Sequence, residues 1–264
     1  MTKPEDEEEE ELETAEPEPE EDPNALIVHE VKDDDGHIVQ KFTTRGDEVV
    51  GEYLTFEAGV LATRSFYEQG ELNGLFEVFG PDGKLTTSMT YVRGVLDGPV
   101  AIRDDQGQLI QRLEYKGGLL DGNATVYDNG AVQSRTTYHK DKKTGPFIMY
   151  GPQGKPQVES MYKNGELEGL TRVYDEEGQL LMDVPYVKGK RSGIQVEYNT
   201  LNGGVRSKTT FKVDKKHGDY LEFHEDGSIR KKVLFEEGKP VGEPIEYDTK
   251  GRRLPAKGDH GHKH

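Results

Sequence analysis

YKNGELEGLTRVYDEEGQLLMDVP, residues 162–185, carries the pattern on which the fold turns. Tyr162 is followed by Gly165 three residues later, Gly169 seven later and Tyr174 twelve later; Gly178 then falls in a turn-rich stretch, and the pattern restarts at Tyr186. The same grammar begins at Tyr67, Tyr91, Tyr115, Tyr138, Tyr162, Tyr186, Phe211 and Phe235, at steps of 23 to 25 residues. These are the start aromatics. The second glycine never moves: Gly74, Gly98, Gly122, Gly145, Gly169, Gly193, Gly218 and Gly242 each stand seven residues after a start. An end aromatic follows five residues later in every unit but one: Phe79, Tyr127, Tyr150, Tyr174, Tyr198, Phe223 and Tyr247, with Arg103 as the exception. A looser copy with Phe42, Gly46, Gly51 and Phe56 precedes them, giving nine units of about 24 residues. Self-similarity at a fixed period of this size marks a stacked repeat architecture.

Each unit reads as strand, turn, strand, turn. Four residues and an aromatic after the second glycine suffice for one short strand. Turn sequences follow, such as PDG (81–83), DNG (128–130), DEEG (175–178) and EDG (225–227). They supply the Gly, Asp and Asn that positive φ angles require. Three residues after the start, six units have Gly and two have Asp141 or Asp214; Asp tolerates the left-handed region better than most residues. Glycine interrupts too often for a helix. The fold class expected is all-β: tandem β-hairpins stacked into one long twisted antiparallel sheet of roughly twenty strands, on the order of 90 Å long. Aromatics recurring at one depth would form a cross-strand ladder. Such a thin fold suits a chain that is 32% hydrophobic and lacks tryptophan.

Charge divides the chain. Residues 1–23 hold thirteen acids and one base, −12 of a net −17, leaving −5 for the rest. The expected organisation is a disordered acidic tail over 1–23, a repeat domain over 24–254 whose residues 24–42 form a capping hairpin, and a flexible histidine-bearing tail over 255–264. A body with no basic footprint disfavours nucleic acid and anionic membrane as partners. There are no cysteines, so disulfides and thiolate metal sites are excluded. The acidic start is the reverse of a secretory signal, and no stretch has the length of a membrane span; a cytoplasmic location is expected.

No catalytic motif, cofactor or metal site is expected. Asp33, Asp34, Asp35 and Gly36 lack the distal Glu of a calcium loop and read as a hairpin turn. His260, His262 and His264 alternate on a tail with no fixed geometry. The basic stretches HKDKKTG (139–145) and KVDKKHG (212–218) read as exposed loops. The departure at Arg103 differs in kind: a ladder aromatic has become a charged fork. Arg103, Asp104, Asp105 and the next end aromatic, Tyr127, are the candidate partner-binding residues.

The pattern Y-x-x-G-x-x-x-G-x-x-x-x-Y-x-x-x-G over about residues 42–251 resembles the MORN-repeat variant. The chain lacks the tryptophan and Gly-x-Gly step of typical MORN repeats, and so looks like the variant grouped with YwqK-type antitoxins. That resemblance implies a β-hairpin sheet and a non-catalytic antitoxin or immunity protein that neutralises a cognate toxin or secreted effector by direct binding. The alternative it leaves is a structural adaptor or membrane-associated scaffold, for which a basic face would be the distinguishing feature.

Overall fold

The computed structural model describes residue 22 and residues 24–255. The expectations for the acidic tail and for the three C-terminal histidines lie outside those residues, except at Asp22. Among the described residues the protein is all-β: 23 strands in a single open antiparallel sheet, built from consecutive hairpins. With each two-residue strand counted with the one it leads into, every strand pairs with its neighbours in the chain, from Leu26–Lys32 at one edge to Lys239–Glu246 at the other.

The unit beginning at Tyr162 shows how. Strand Pro156–Lys163 reverses in a two-residue turn, with Lys163 opposite Glu166. Asn164 and Gly165 both have positive φ, 53° and 90°. This is the primed turn whose twist matches a right-handed strand pair. Asp141 and Asp214 fill the second turn position with φ of 64° and 65°, as the sequence suggested. The chain then runs through Glu166–Leu167 into Gly169–Tyr174. It turns again over Asp175–Gln179, where Asp175 Oδ1 accepts the Gln179 amide at 2.7 Å. A register shift between Val173 and Tyr174 accompanies that turn and recurs at the same point in the other units, as at Val78/Phe79, Val126/Tyr127 and Glu222/Phe223. Bulges raise local twist, so a bulge per repeat coils the whole sheet.

A second set of bonds ties unit to unit. The amide at the second position of each tight turn donates to a carbonyl of the preceding unit: Gly94 to Leu72, Gly118 to Leu96, Gly189 to Leu167 and Gly238 to Lys216, all at 2.8 Å. Stacking therefore satisfies backbone groups that one hairpin alone would leave to water.

The two faces differ. On the first, the residue two before each start aromatic lies beside the residue two after a second glycine. Ser65, Val100, Thr136, Val184, Thr209 and Val233 all belong to this file and all are buried. Five of the file's buried members carry polar side chains, which explains how so little apolar mass suffices. No large side chain among the described residues is fully buried, and every extensive contact is between strands that neighbour each other in the meander. The start aromatics share this face, with ring centroids 6.1 Å apart for Phe76–Tyr91 and for Phe147–Tyr162. The end aromatics meet groups on the opposite face. The single expected ladder is two sets, because the register shift between each end aromatic and the next start carries the chain to the other face.

Candidate functional site

The second face carries, in each unit, the first, third and fifth residues after the second glycine. Its central file runs through Arg64↔Glu77, Ala101↔Arg112, Glu159↔Arg172 and Arg172↔Asp183. Many of its members are charged and paired, as in Lys41–Glu30 at 2.9 Å and Arg64–Glu77 at 3.3 Å. In four units the end aromatic meets the residue three before its unit's start. Tyr174 donates to Glu159 at 2.8 Å and Tyr198 to Asp183 at 3.0 Å. Arg64 lies 5.7 Å from the Phe79 ring centre and Lys208 5.7 Å from that of Phe223. Burial, then the carboxylate it bonds, raises the phenol pKa of Tyr174 and of Tyr198.

This couple gives the Arg103 departure a structural meaning. In the other units from Tyr67 onward the end residue is aromatic and its partner position is charged. In the unit starting at Tyr91 the register puts Ser88 in the partner's place, one step from Ala101, and the charge sits on Arg103 instead. The couple keeps one charged member with the roles exchanged. Arg103 Nη1 is buried without a hydrogen-bond partner.

Asp104 lies in the turn, where its Oδ1 accepts the Gln106 amide at 3.0 Å and the Gln108 amide at 2.8 Å. Asp175 and Asp248 do the same work in their own units. Asp105 offers its carbonyl to Lys84 Nζ at 3.0 Å. Tyr127 ends strand Gly122–Asp128, two strands from Arg103 and so about 10 Å along the sheet. Arg103 and Tyr127 thus occupy equivalent end positions, and the two aspartates sit at the turn edge.

The basic stretches fall on tight turns. Lys143 packs 5.4 Å from the Phe147 ring centre and 5.2 Å from that of Tyr162. Lys216 does likewise with Tyr220 and Phe235, at 5.5 and 5.0 Å. They take the place that Leu72, Leu96 and Leu167 hold elsewhere, trading an apolar contact for a cation–π one. Among the described residues no group of His, Asp and Glu could hold a metal ion.

One feature escaped the sequence reading. Pro146, Met161, Leu170, Pro185 and Ile194 form an apolar row across five successive strands of the second face. Three are well exposed: Met161 at 47%, Leu170 at 38% and Ile194 at 54%. Each residue either follows a second glycine or precedes a start aromatic. Comparing those two positions between units would have found the row. At the same positions the three strands before the row carry Glu114, Asn123 and Thr137, while Phe66, Leu75 and Pro99 stand there further back.

Three stretches, residues 143–164, 167–188 and 216–237, match the MORN repeat variant. Each match opens five residues after a start aromatic and closes on the first central residue of the next tight turn. The matched frame therefore contains the bulged turn and both of its strands. MORN repeats are a non-enzymatic repeat type, generally engaged in binding proteins or membranes. No curated protein matches the chain. Among the described residues no helix is long and apolar enough to cross a membrane.

Proposed function

We propose that this protein is a non-catalytic binding protein whose second sheet face engages another protein, and that it acts as an antitoxin or immunity protein holding a cognate toxin or effector. The observation that carries the binding reading is the exposed row Pro146–Met161–Leu170–Pro185–Ile194, flanked by the paired charges Glu159, Arg172 and Asp183. An apolar centre with a polar margin is the anatomy of a protein interface. Arg103 and Tyr127 extend the same surface, and the span from Arg103 to Ile194 covers nine rungs, or roughly 40 Å. Resemblance to YwqK-type antitoxins supports the toxin as the class of partner. A cytoplasmic site of action follows from that reading.

The test is to search the genes beside this one for a toxin candidate and co-express the two. Growth should be rescued by the wild type and lost with Met161→Glu combined with Ile194→Glu, both being exposed positions that leave folding intact. A doubly substituted protein that still rescues growth removes the face from the interface. A purified wild type that neither binds the toxin nor blocks its activity ends the antitoxin reading.

A further inference from the structure

The two edges of the sheet are treated differently by the sequence. The C-terminal edge strand, Lys239–Glu246, contains Pro240, Gly242 and Pro244. Proline cannot donate to a ladder and is a common guard of an exposed edge. The chain then folds back on it: the Leu254 amide donates to the Glu246 carbonyl at 2.8 Å, and Tyr247 bridges Arg253. The N-terminal edge strand, Leu26–Lys32, has none of these devices. It reads LIVHEVK, without Pro or Gly, and among the described residues it pairs only with Ile38–Arg45. Leu26, Ile27, Val28 and Val31 are 59%, 47%, 60% and 41% exposed. Among the described residues the first hairpin continues the sheet and leaves one flank of its outer strand unpaired.

Beside that strand lies a depression of about 450 Å³, lined by Leu26, Val28, Phe42, Val50 and Leu54 together with the charged Lys41, Arg45 and Glu52. Lys41 is paired with Glu30 at 2.9 Å, so the strand itself is close to neutral. Its two ends are not. Asp22 precedes it, and Asp33, Asp34 and Asp35 follow it. Asp33 is held ionised by the His37 amide, which keeps its carboxyl below the usual range.

We propose that the free edge of Leu26–Lys32 accepts an extended segment of a partner protein as an added strand, and that the segment is apolar at alternate positions with basic residues at both ends. Strand addition gives affinity through main-chain bonds and selectivity through alternate side chains. Here alternate apolar side chains would meet Leu26 and Val28, and the flanking bases would meet Asp22 at one end and Asp33–Asp35 at the other. The charge argues against a second copy of this chain. Antiparallel pairing of two such strands would bring Asp33–Asp35 of one copy towards Asp22 of the other. The inference rests on the protein-binding reading but uses the edge, not the face.

The probe is a labelled peptide of alternating valine and threonine with two lysines at each end, titrated by fluorescence anisotropy against the full chain. Binding is expected, weakened at least tenfold by N-methylation of alternate peptide amides, by exchange of the lysines for glutamates, and by Val28→Lys in the protein. Ile27→Lys, on the other side of the same strand, should weaken it as well. Both variants should keep the wild-type denaturant midpoint, since both side chains are largely in water. No binding, or binding indifferent to N-methylation, overturns the proposal; the second result means capture by charge alone. A concentration-dependent dimer in sedimentation that Val28→Lys abolishes also overturns it, in favour of a second copy. Ile194→Glu separates this from the face reading: it should leave peptide affinity unchanged while releasing a partner bound to the face.

Discussion

At Gly98, as at Gly122, two constraints coincide. Its φ is +132°, and a Cβ placed there would lie 2.9 Å from Cβ of Thr90. At Gly169 φ is +92°, but nothing lies within 4 Å of the same point. Gly169→Ala should therefore cost about 1–3 kcal/mol, the ordinary charge for forcing a side chain into this region. Gly98→Ala should cost more, because the Thr90 strand must also move. Urea midpoints of the two variants decide this, and equal losses would leave backbone conformation as the sole cause. Gly169→Val should in turn be worse than Gly178→Asn. A β-branched residue fits badly at positive φ, whereas Gly178 is a turn residue at +84° where Asn is tolerated. That all eight of these positions demand glycine was legible in the repeat. Which of them also demand space was not, since that depends on the residue across the sheet.

The turns are where hairpin elements are fixed, and aspartates do much of that work. Asp214 accepts the Arg191 amide of the preceding unit at 2.8 Å, and its own amide donates to the Arg191 carbonyl at 2.9 Å. Reading Asp141 and Asp214 as left-handed replacements for glycine was right about φ but missed this reciprocal tie, because the sequence shows the turn and not the neighbour it stacks on. The Arg191 amide holds the Asp214 carboxyl below its ordinary value of 3.8, and Lys190 and Arg191 add to the effect. The Arg252 amide does the same for Asp248, and the Ser228 hydroxyl for Asp226. A group with a depressed folded pKa contributes stability that is complete above its unfolded pKa and is lost as pH falls through the folded one. The thermal midpoint should therefore decline as pH drops below about 4. Asp214→Asn should be less stable than wild type at pH 6, with the gap closing towards pH 2.5. A gap independent of pH in thermal melts would mean that the hydrogen-bond geometry matters and the charge does not. The element pattern itself, strand by strand, was readable from glycine spacing. The assignment of start and end aromatics to opposite faces was not, because an extra residue between each end aromatic and the next start, Leu181 between Tyr174 and Tyr186, reverses the alternation that sequence counting assumes.

For the whole molecule, nearest-neighbour stacking makes a platform: nineteen rungs, once the four two-residue strands are counted with those they lead into, or roughly 90 Å before twist. That length and the single-sheet architecture followed from the period alone. The apolar row and the unguarded edge did not, since both depend on register between units and on which flank is left unpaired. The platform and the acidic N-terminal stretch should contribute differently to binding. Residues 1–23 carry −12 of the −17 charge but only two large apolar residues, Met1 and Leu12. Charge of this kind speeds encounter and weakens with salt, while residence depends on desolvated anchors. Deleting residues 1–23 should slow association with the cognate partner several-fold at low ionic strength, less at high, and leave dissociation nearly unchanged. Arg103→Ala should do the reverse. It removes a guanidinium whose Nη1 is buried and unbonded in the free protein, an unsatisfied donor that turning outward to a partner's acceptor would satisfy. Its dissociation rate should rise about tenfold, the scale of one lost charge-assisted bond, with association barely altered. Surface plasmon resonance of both variants at two salt concentrations separates the arms. If the truncated chain loses the partner while Arg103→Ala binds as the wild type does, affinity resides in the acidic arm. The partner is then a basic protein captured by charge, and the repeats serve only to hold that arm in place.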